Sequence, residues 1–161
     1  MPCLRRKPSS ANSIIPISGK RSASLPSRMY EYPDRRVWSI ENHKVTYLHI
    51  DYRFAFDCWG ADNNLLSIII ETPFTIRYPD RTVTCEPADV NSLQEAILIL
   101  HKPLSMLTAY RDGRLLVTFS DSTELDVSKH PHYESWQVHG KGEFQDIALY
   151  CTPHAGPPWV E

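Results

Sequence analysis

His130, His132 and His139 form the densest histidine group in the chain. An H-x-H pair on a strand can aim two imidazoles to one side. With His139, and with Asp126 or Glu134 completing the set, it would suit zinc or another divalent cation. Pro131 between the first two implies a bend, and exposed turn histidines are the plain alternative. A second group, Asp51, Arg53, Asp57 and His49, occupies one phase of a long alternating stretch. It would be either an acid/base pair facing a cleft or the solvated side of a sheet. Cys58, Cys85 and Cys151 carry no local nucleophile signature, and cysteines inside strands act as small hydrophobes. Ser120 and Ser122 lack the G-x-S-x-G elbow, and six glycines form no phosphate-cradling loop. No residue is assigned a catalytic role, and no cofactor is implied. The one enzymatic reading to carry forward is metal-dependent chemistry at His130, His132 and His139.

The competing reading is a binding surface made by Tyr133, Glu134 and Trp136, joined by Asp51 and Arg53. On a strand Glu134 and Trp136 would share a face and Tyr133 would point opposite. Trp136 suits a core position, its indole N–H on a backbone carbonyl. Exposed beside Tyr47, Tyr110 or Tyr133 it would instead anchor an interface.

Charge divides the 161 residues unevenly. Residues 1–29 hold six basic side chains and no acid, whereas Tyr30 to Glu161 holds 11 basic and 19 acidic residues, a balance of −8. Such a body argues against tracking phosphates and suits a basic protein partner or plain solubility. Any nucleic-acid contact would fall to residues 1–28 alone. The four cysteines show no paired spacing, which points to a reducing cytoplasm. No run approaches the length of an apolar membrane span.

Residues 1–29 read as a disordered basic tail, as an acid-free targeting peptide, or as residues upstream of a true start at Met29. Residues 30–152 read as one domain and 153–161 as a Pro-rich tail, with Trp159 able to clip back onto the body. Val45 to Cys58 alternates with a bend expected near Asp51-Tyr52, and Gly60 to Asn64 is turn chemistry. Leu65 to Glu71 is a strand, and Phe74 to Tyr78 pairs across Pro79-Asp80 with Thr82 to Cys85. Ser92 and Glu95 have capping-box spacing, and Val90, Leu93, Ile97 and Leu100 share a helical face ended by Pro103. Leu115–Phe119 and Thr123–Val127 alternate on either side of a turn, Asp112-Gly113 is a hairpin signal, and a third strand would carry Tyr133 to Trp136. Phe144 to Tyr150 closes the sheet. The fold class is therefore α+β: a mostly antiparallel, twisted sheet of about eight strands with one covering α-helix near residues 90–101.

Three runs then carry a resemblance: Asp112-Gly113-Arg114-Leu115-Leu116-Val117-Thr118-Phe119, Asp121 to Val127, and Tyr133-Glu134-Ser135-Trp136-Gln137-Val138-His139-Gly140. With Glu71-Thr72-Pro73-Phe74 upstream, the order over Trp38 to Tyr150 resembles a family of small bacterial proteins, frequent in actinobacteria, known only as a domain of unknown function. The resemblance implies a fold and a bacterial source and supplies no activity. It departs at Ser122, where the family pattern has Gly, so that this turn is expected to form without an easy positive φ. Thr152 to Gly156 also replaces a glycine-rich closing segment. The function expected is a non-catalytic macromolecule-binding module, in its sharpest form an immunity-like or antitoxin-like protein whose acidic body covers a basic toxin.

Overall fold

A computed structural model of the chain describes residues 28–159. Apart from Arg28 and Met29, the segment read as a basic tail lies outside the described residues. Twelve strands run β1 (Met29–Glu31), β2 (Arg35–Ser39), β3 (Lys44–Ile50), β4 (Phe54–Trp59), β5 (Leu65–Ile70), β6 (Phe74–Arg77), β7 (Thr82–Cys85), β8 (Leu104–Tyr110), β9 (Leu115–Phe119), β10 (Glu124–Val127), β11 (Trp136–Lys141) and β12 (Ala148–Cys151). They form two antiparallel sheets, one in the order β1-β2-β8-β9-β10-β6-β7 and the other β12-β11-β5-β4-β3. The expected single sheet of about eight strands is thus corrected to twelve strands in two sheets.

Alternation explains the core. Phe54, Phe56 and Cys58 on β4, Leu66, Ile68 and Ile70 on β5, and Trp136 and Val138 on β11 are all buried. They join Leu115, Val117 and Phe119 on β9 and Leu125 and Val127 on β10 in one contiguous apolar cluster fed by both sheets. Spacing by two leaves the other phase to water. On the seven-stranded sheet that phase carries a charge ladder. Arg114 and Arg77 both reach Asp126, at 2.7 and 3.1 Å, and Arg77 also reaches Glu124 at 2.7 Å.

The turns follow their residues. Asp51 Oδ1 accepts from the Arg53 N–H at 2.7 Å, making the expected bend between β3 and β4. Gly113 takes φ +94° in the β8–β9 hairpin. Ser122 corrects an expectation: it adopts φ +71° itself. Asp121 Oδ1 holds that turn by accepting from the Thr123 N–H at 3.0 Å. Ser120 and Ser122 are exposed turn residues.

The covering α-helix is absent. Residues 90–99 make two 3₁₀ turns, Val90–Leu93 and Ala96–Ile99. The buried residues are Leu93, Ala96 and Ile99, spaced at the three-residue period of a 3₁₀ helix, whereas Val90 is 64% and Ile97 45% exposed. Ser92 does not pair with Glu95. Its hydroxyl accepts from the Glu86 N–H at 2.7 Å and lies 2.8 Å from the Asp89 carbonyl. Glu95 is occupied by Arg81. The third strand of the meander is also shorter than expected, because residues 128–135 are irregular and β11 starts at Trp136. At the C-terminus Trp159 does clip back: it is buried, with the Arg36 and Arg111 guanidinium groups 4.7 and 5.5 Å from its ring. No helix among the described residues is long and apolar enough to cross a membrane.

Candidate functional site

One end of the five-stranded sheet collects most of the singled-out binding residues. The β3–β4 turn supplies Asp51, Tyr52 and Arg53, the end of β5 supplies Glu71, the irregular segment before β11 supplies Tyr133 and Glu134, and β11 supplies Gln137. Tyr52 is 89% exposed and Tyr133 67%. Arg53 closes on Asp51 at 3.0 Å, which holds the Asp51 carboxyl below its ordinary value and raises Arg53.

Behind them runs an ordered relay of donors. Tyr150 Oη lies 3.4 Å from His139 Nδ1, and His139 Nε2 lies 3.1 Å from Gln137 Oε1. This assigns the tautomer: the amide oxygen only accepts, so Nε2 carries the proton and Nδ1 accepts from the tyrosine. The Gln137 NH₂ is then turned toward two carboxylates, Glu134 at 3.1 Å and Glu71 at 3.4 Å. Neither has a cationic side chain within 4 Å among the described residues. Burial first, and the neighbouring Glu134 charge second, push the Glu71 carboxyl up, against the pull of Arg53 and Gln137.

Beside this end lies the sheet's edge, β3. Near its start the Val45 N–H donates to the Lys102 carbonyl at 3.1 Å and its carbonyl accepts from the His101 N–H at 2.8 Å. From Tyr47 to Ile50 the outer side has no backbone partner among the described residues, and Tyr47 and Ile50 are exposed.

Asp51, Arg53, Tyr133 and Glu134 therefore share one surface, and Trp136 does not. Trp136 is fully buried, its indole N–H donating to the Gly113 carbonyl at 2.8 Å, because the phase of β11 turns it inward. The metal reading is corrected. Among the described residues no three His, Cys, Asp or Glu side chains are placed to hold a metal ion. His130 Nδ1 accepts from the backbone N–H groups of His132 and Tyr133, while His139 is engaged by Gln137 and Tyr150. The bend at Pro131 turns His130 into a turn-former, and His132 lies with its ring centroid 6.1 Å from that of His130.

The other chemical candidates resolve as follows. Asp57 stands between Ser67 at 2.6 Å and His49 at 3.1 Å on the outer face. A serine nucleophile needs the imidazole in the middle, so the order is wrong for that chemistry. The thiols of Cys58, Cys85 and Cys151 are buried, and burial pushes each up, Cys85 to about 11. A thiolate nucleophile requires the opposite shift.

Sequence reasoning missed Tyr52, Glu71 and Gln137. Tyr52 fell on the apolar phase of the alternation, and only the Asp51 turn bond removes it from that phase. Glu71 and Gln137 meet through β5–β11 pairing, which joins residues far apart in the chain.

No curated protein and no solved structure matches the chain. A family model does match, over residues 37–156, covering the end of β2 through β12 and with it every residue of this surface. The chain thus belongs to a family of unknown function, DUF6188.

Proposed function

We propose that the domain is a binding module that holds a basic protein partner on the Tyr52–Asp51–Glu71–Tyr133–Glu134 end of its five-stranded sheet and does no chemistry of its own. The observation that carries this reading is a pair of carboxylates, Glu71 and Glu134, served by one neutral amide and bordered by two exposed tyrosines. Tyrosines give large contact area at low ordering cost, and carboxylates held only by a neutral amide favour a lysine or arginine. The −8 balance of Tyr30 to Glu161 adds long-range attraction. The sharpest form is immunity-like, with the acidic end covering a basic toxin in a bacterial cytoplasm where buried cysteines stay reduced.

The test is an NMR titration of the full chain with a synthetic Arg/Lys-rich peptide. Shifts should concentrate at residues 50–53, 71 and 133–137. A Glu71→Gln/Glu134→Gln double variant should bind at least about tenfold more weakly, roughly 1.4 kcal/mol, with a flatter salt dependence. An arriving cation lowers the raised Glu71 carboxyl, so binding should release protons and strengthen as pH rises above its ordinary 4.5. Shifts spread evenly over all surface acids, or an unchanged double variant, would refute the reading.

A further inference from the structure

The β3 edge of the five-stranded sheet is closed at one end and open at the other. At its start the Leu104 N–H donates to the His43 carbonyl at 2.9 Å, and Val45 turns its N–H and C=O outward to Lys102 and His101. At its end Asp51 turns its N–H inward, to the Arg53 carbonyl at 3.2 Å. In a regular strand Val45 and Asp51, an even number of residues apart, would point the same way. The bulge between Val45 and Tyr47 shifts the phase by one residue. Leu48 and Ile50 therefore present their N–H and C=O groups to the outside, where no described residue bonds to them. The other edge of the same sheet is covered, because on β12 the Tyr150 N–H donates to the Pro158 carbonyl at 3.0 Å. Natural edges are guarded by lysine, glutamate or proline, and Tyr47-Leu48-His49-Ile50 holds none of these.

Side chains and charge say what kind of strand this edge takes. Leu48 and Ile50 lie opposite the buried Phe56 and Phe54, hence on the core face, where Leu48 packs on the core and Ile50 is 41% exposed. A strand added here covers that flank with apolar residues at alternate positions. At the closed end Lys44 and Lys102 are balanced by Glu41 and Asp121. At the open end Asp51 and Arg53 pair with each other, which leaves Glu71 and Glu134 in surplus. Glu71 follows β5, three strand spacings or about 14 Å from an added strand. Two or three extended residues and one lysine or arginine side chain span that distance. The sheet's pairs are antiparallel throughout, so the basic residues must precede the paired stretch. We propose that the basic partner is held through an extended segment that adds to β3 as an antiparallel strand. Its backbone bonds to Leu48 and Ile50, its alternate residues are apolar, and a run of lysine or arginine just before them crosses to Glu71 and Glu134. This mode of capture rests on the reading of that end as the surface for a basic partner.

The test leaves the protein unaltered and varies the probe. Three capped peptides are titrated against the ¹⁵N-labelled full chain: KRKSVTVT, the same residues in reverse order, and KRKSVTVT with both valine nitrogens methylated. The first should give saturable shifts at residues 47–53, 71 and 133–137 and slow hydrogen exchange of the Leu48 and Ile50 amides at least about tenfold. The reversed peptide, equal in charge, and the methylated one, unable to donate to the edge, should each bind at least about tenfold more weakly. Shifts at residues 71 and 133–137 with no protection of Leu48 and Ile50 overturn strand addition and leave the acidic end standing as a partner surface. Absence of both responses overturns strand addition together with that surface. Strand addition is equally overturned by equal binding of all three peptides. It is overturned too by Leu48 and Ile50 amides already protected before any peptide is added, with another part of the chain or a second copy on the edge, which sedimentation tells apart.

Discussion

Replacing Trp136 by Phe separates its core role from a role in binding. The side chain is fully buried and its indole N–H donates to the Gly113 carbonyl at 2.8 Å, tying β11 of one sheet to the β8–β9 turn of the other. Losing that bond costs about 1–1.5 kcal/mol, since a buried acceptor loses its main donor. Cys151 Sγ still reaches the same carbonyl at 3.3 Å, which keeps this figure modest. The space left by the smaller ring adds roughly 1 kcal/mol, as the surrounding strands relax only in part. The sum, about 2–2.5 kcal/mol, is well inside the stability of about 5–15 kcal/mol of an ordinary domain, so the variant stays folded. Urea unfolding followed by far-UV circular dichroism should show a lower midpoint at unchanged slope, and the melting temperature should fall by about 6–12 °C. Peptide binding at Glu71 and Glu134 should be unaffected below the transition. A loss under about 0.5 kcal/mol, or lost binding at intact stability, would refute the reasoning.

Ser122→Gly should raise stability by about 0.5–1 kcal/mol, seen as a higher melting temperature, because Ser122 holds φ +71° and glycine adopts it without strain. Asp126→Asn should flatten the acid limb of the stability curve. Burial pushes the Asp126 carboxyl up, but Arg114 and Arg77 outweigh it, so its folded value lies below the ordinary 3.8. A carboxyl depressed on folding stabilises fully above pH 3.8 and loses that contribution as pH falls through its folded value. Acid titration of wild type and variant by circular dichroism checks this. Trp159→Ala should cost about 2–3 kcal/mol and expose the C-terminal segment to limited proteolysis, because it removes a buried ring and its two guanidinium contacts.

Period-two alternation was enough to read β4, β9 and β10 and the residues they bury, because each strand faces water on one side. β5 was legible instead as a central strand from apolar residues on both phases, and it does lie between β11 and β4. Turn chemistry was equally legible at Asp112-Gly113 and Pro79-Asp80, where local residues decide the backbone. Residues 90–99 misled because Val90, Leu93, Ile97 and Leu100 match a 3.6-residue period, while Leu93, Ala96 and Ile99 match the 3.0-residue period that forms. The division into two sheets could not be read, since alternation says that a side chain is buried without saying against which sheet. The candidate surface was half legible. Asp51, Arg53, Tyr133 and Glu134 were named from their phase on expected strands, but the Gln137 amide that gathers the carboxylates depends on β5 lying beside β11.

The order of the seven-stranded sheet has a kinetic consequence. β2 is made early, yet its neighbour β8 is some seventy residues further along, and all of β3 to β5 is built into the other sheet in between. During synthesis the Arg35–Ser39 edge therefore stays open until Leu104–Tyr110 has emerged. Closure of so long a loop makes slow folding the expectation. Substitutions along the β2–β8 seam should accordingly be felt first in the yield of properly folded protein, and least in how long the finished molecule survives.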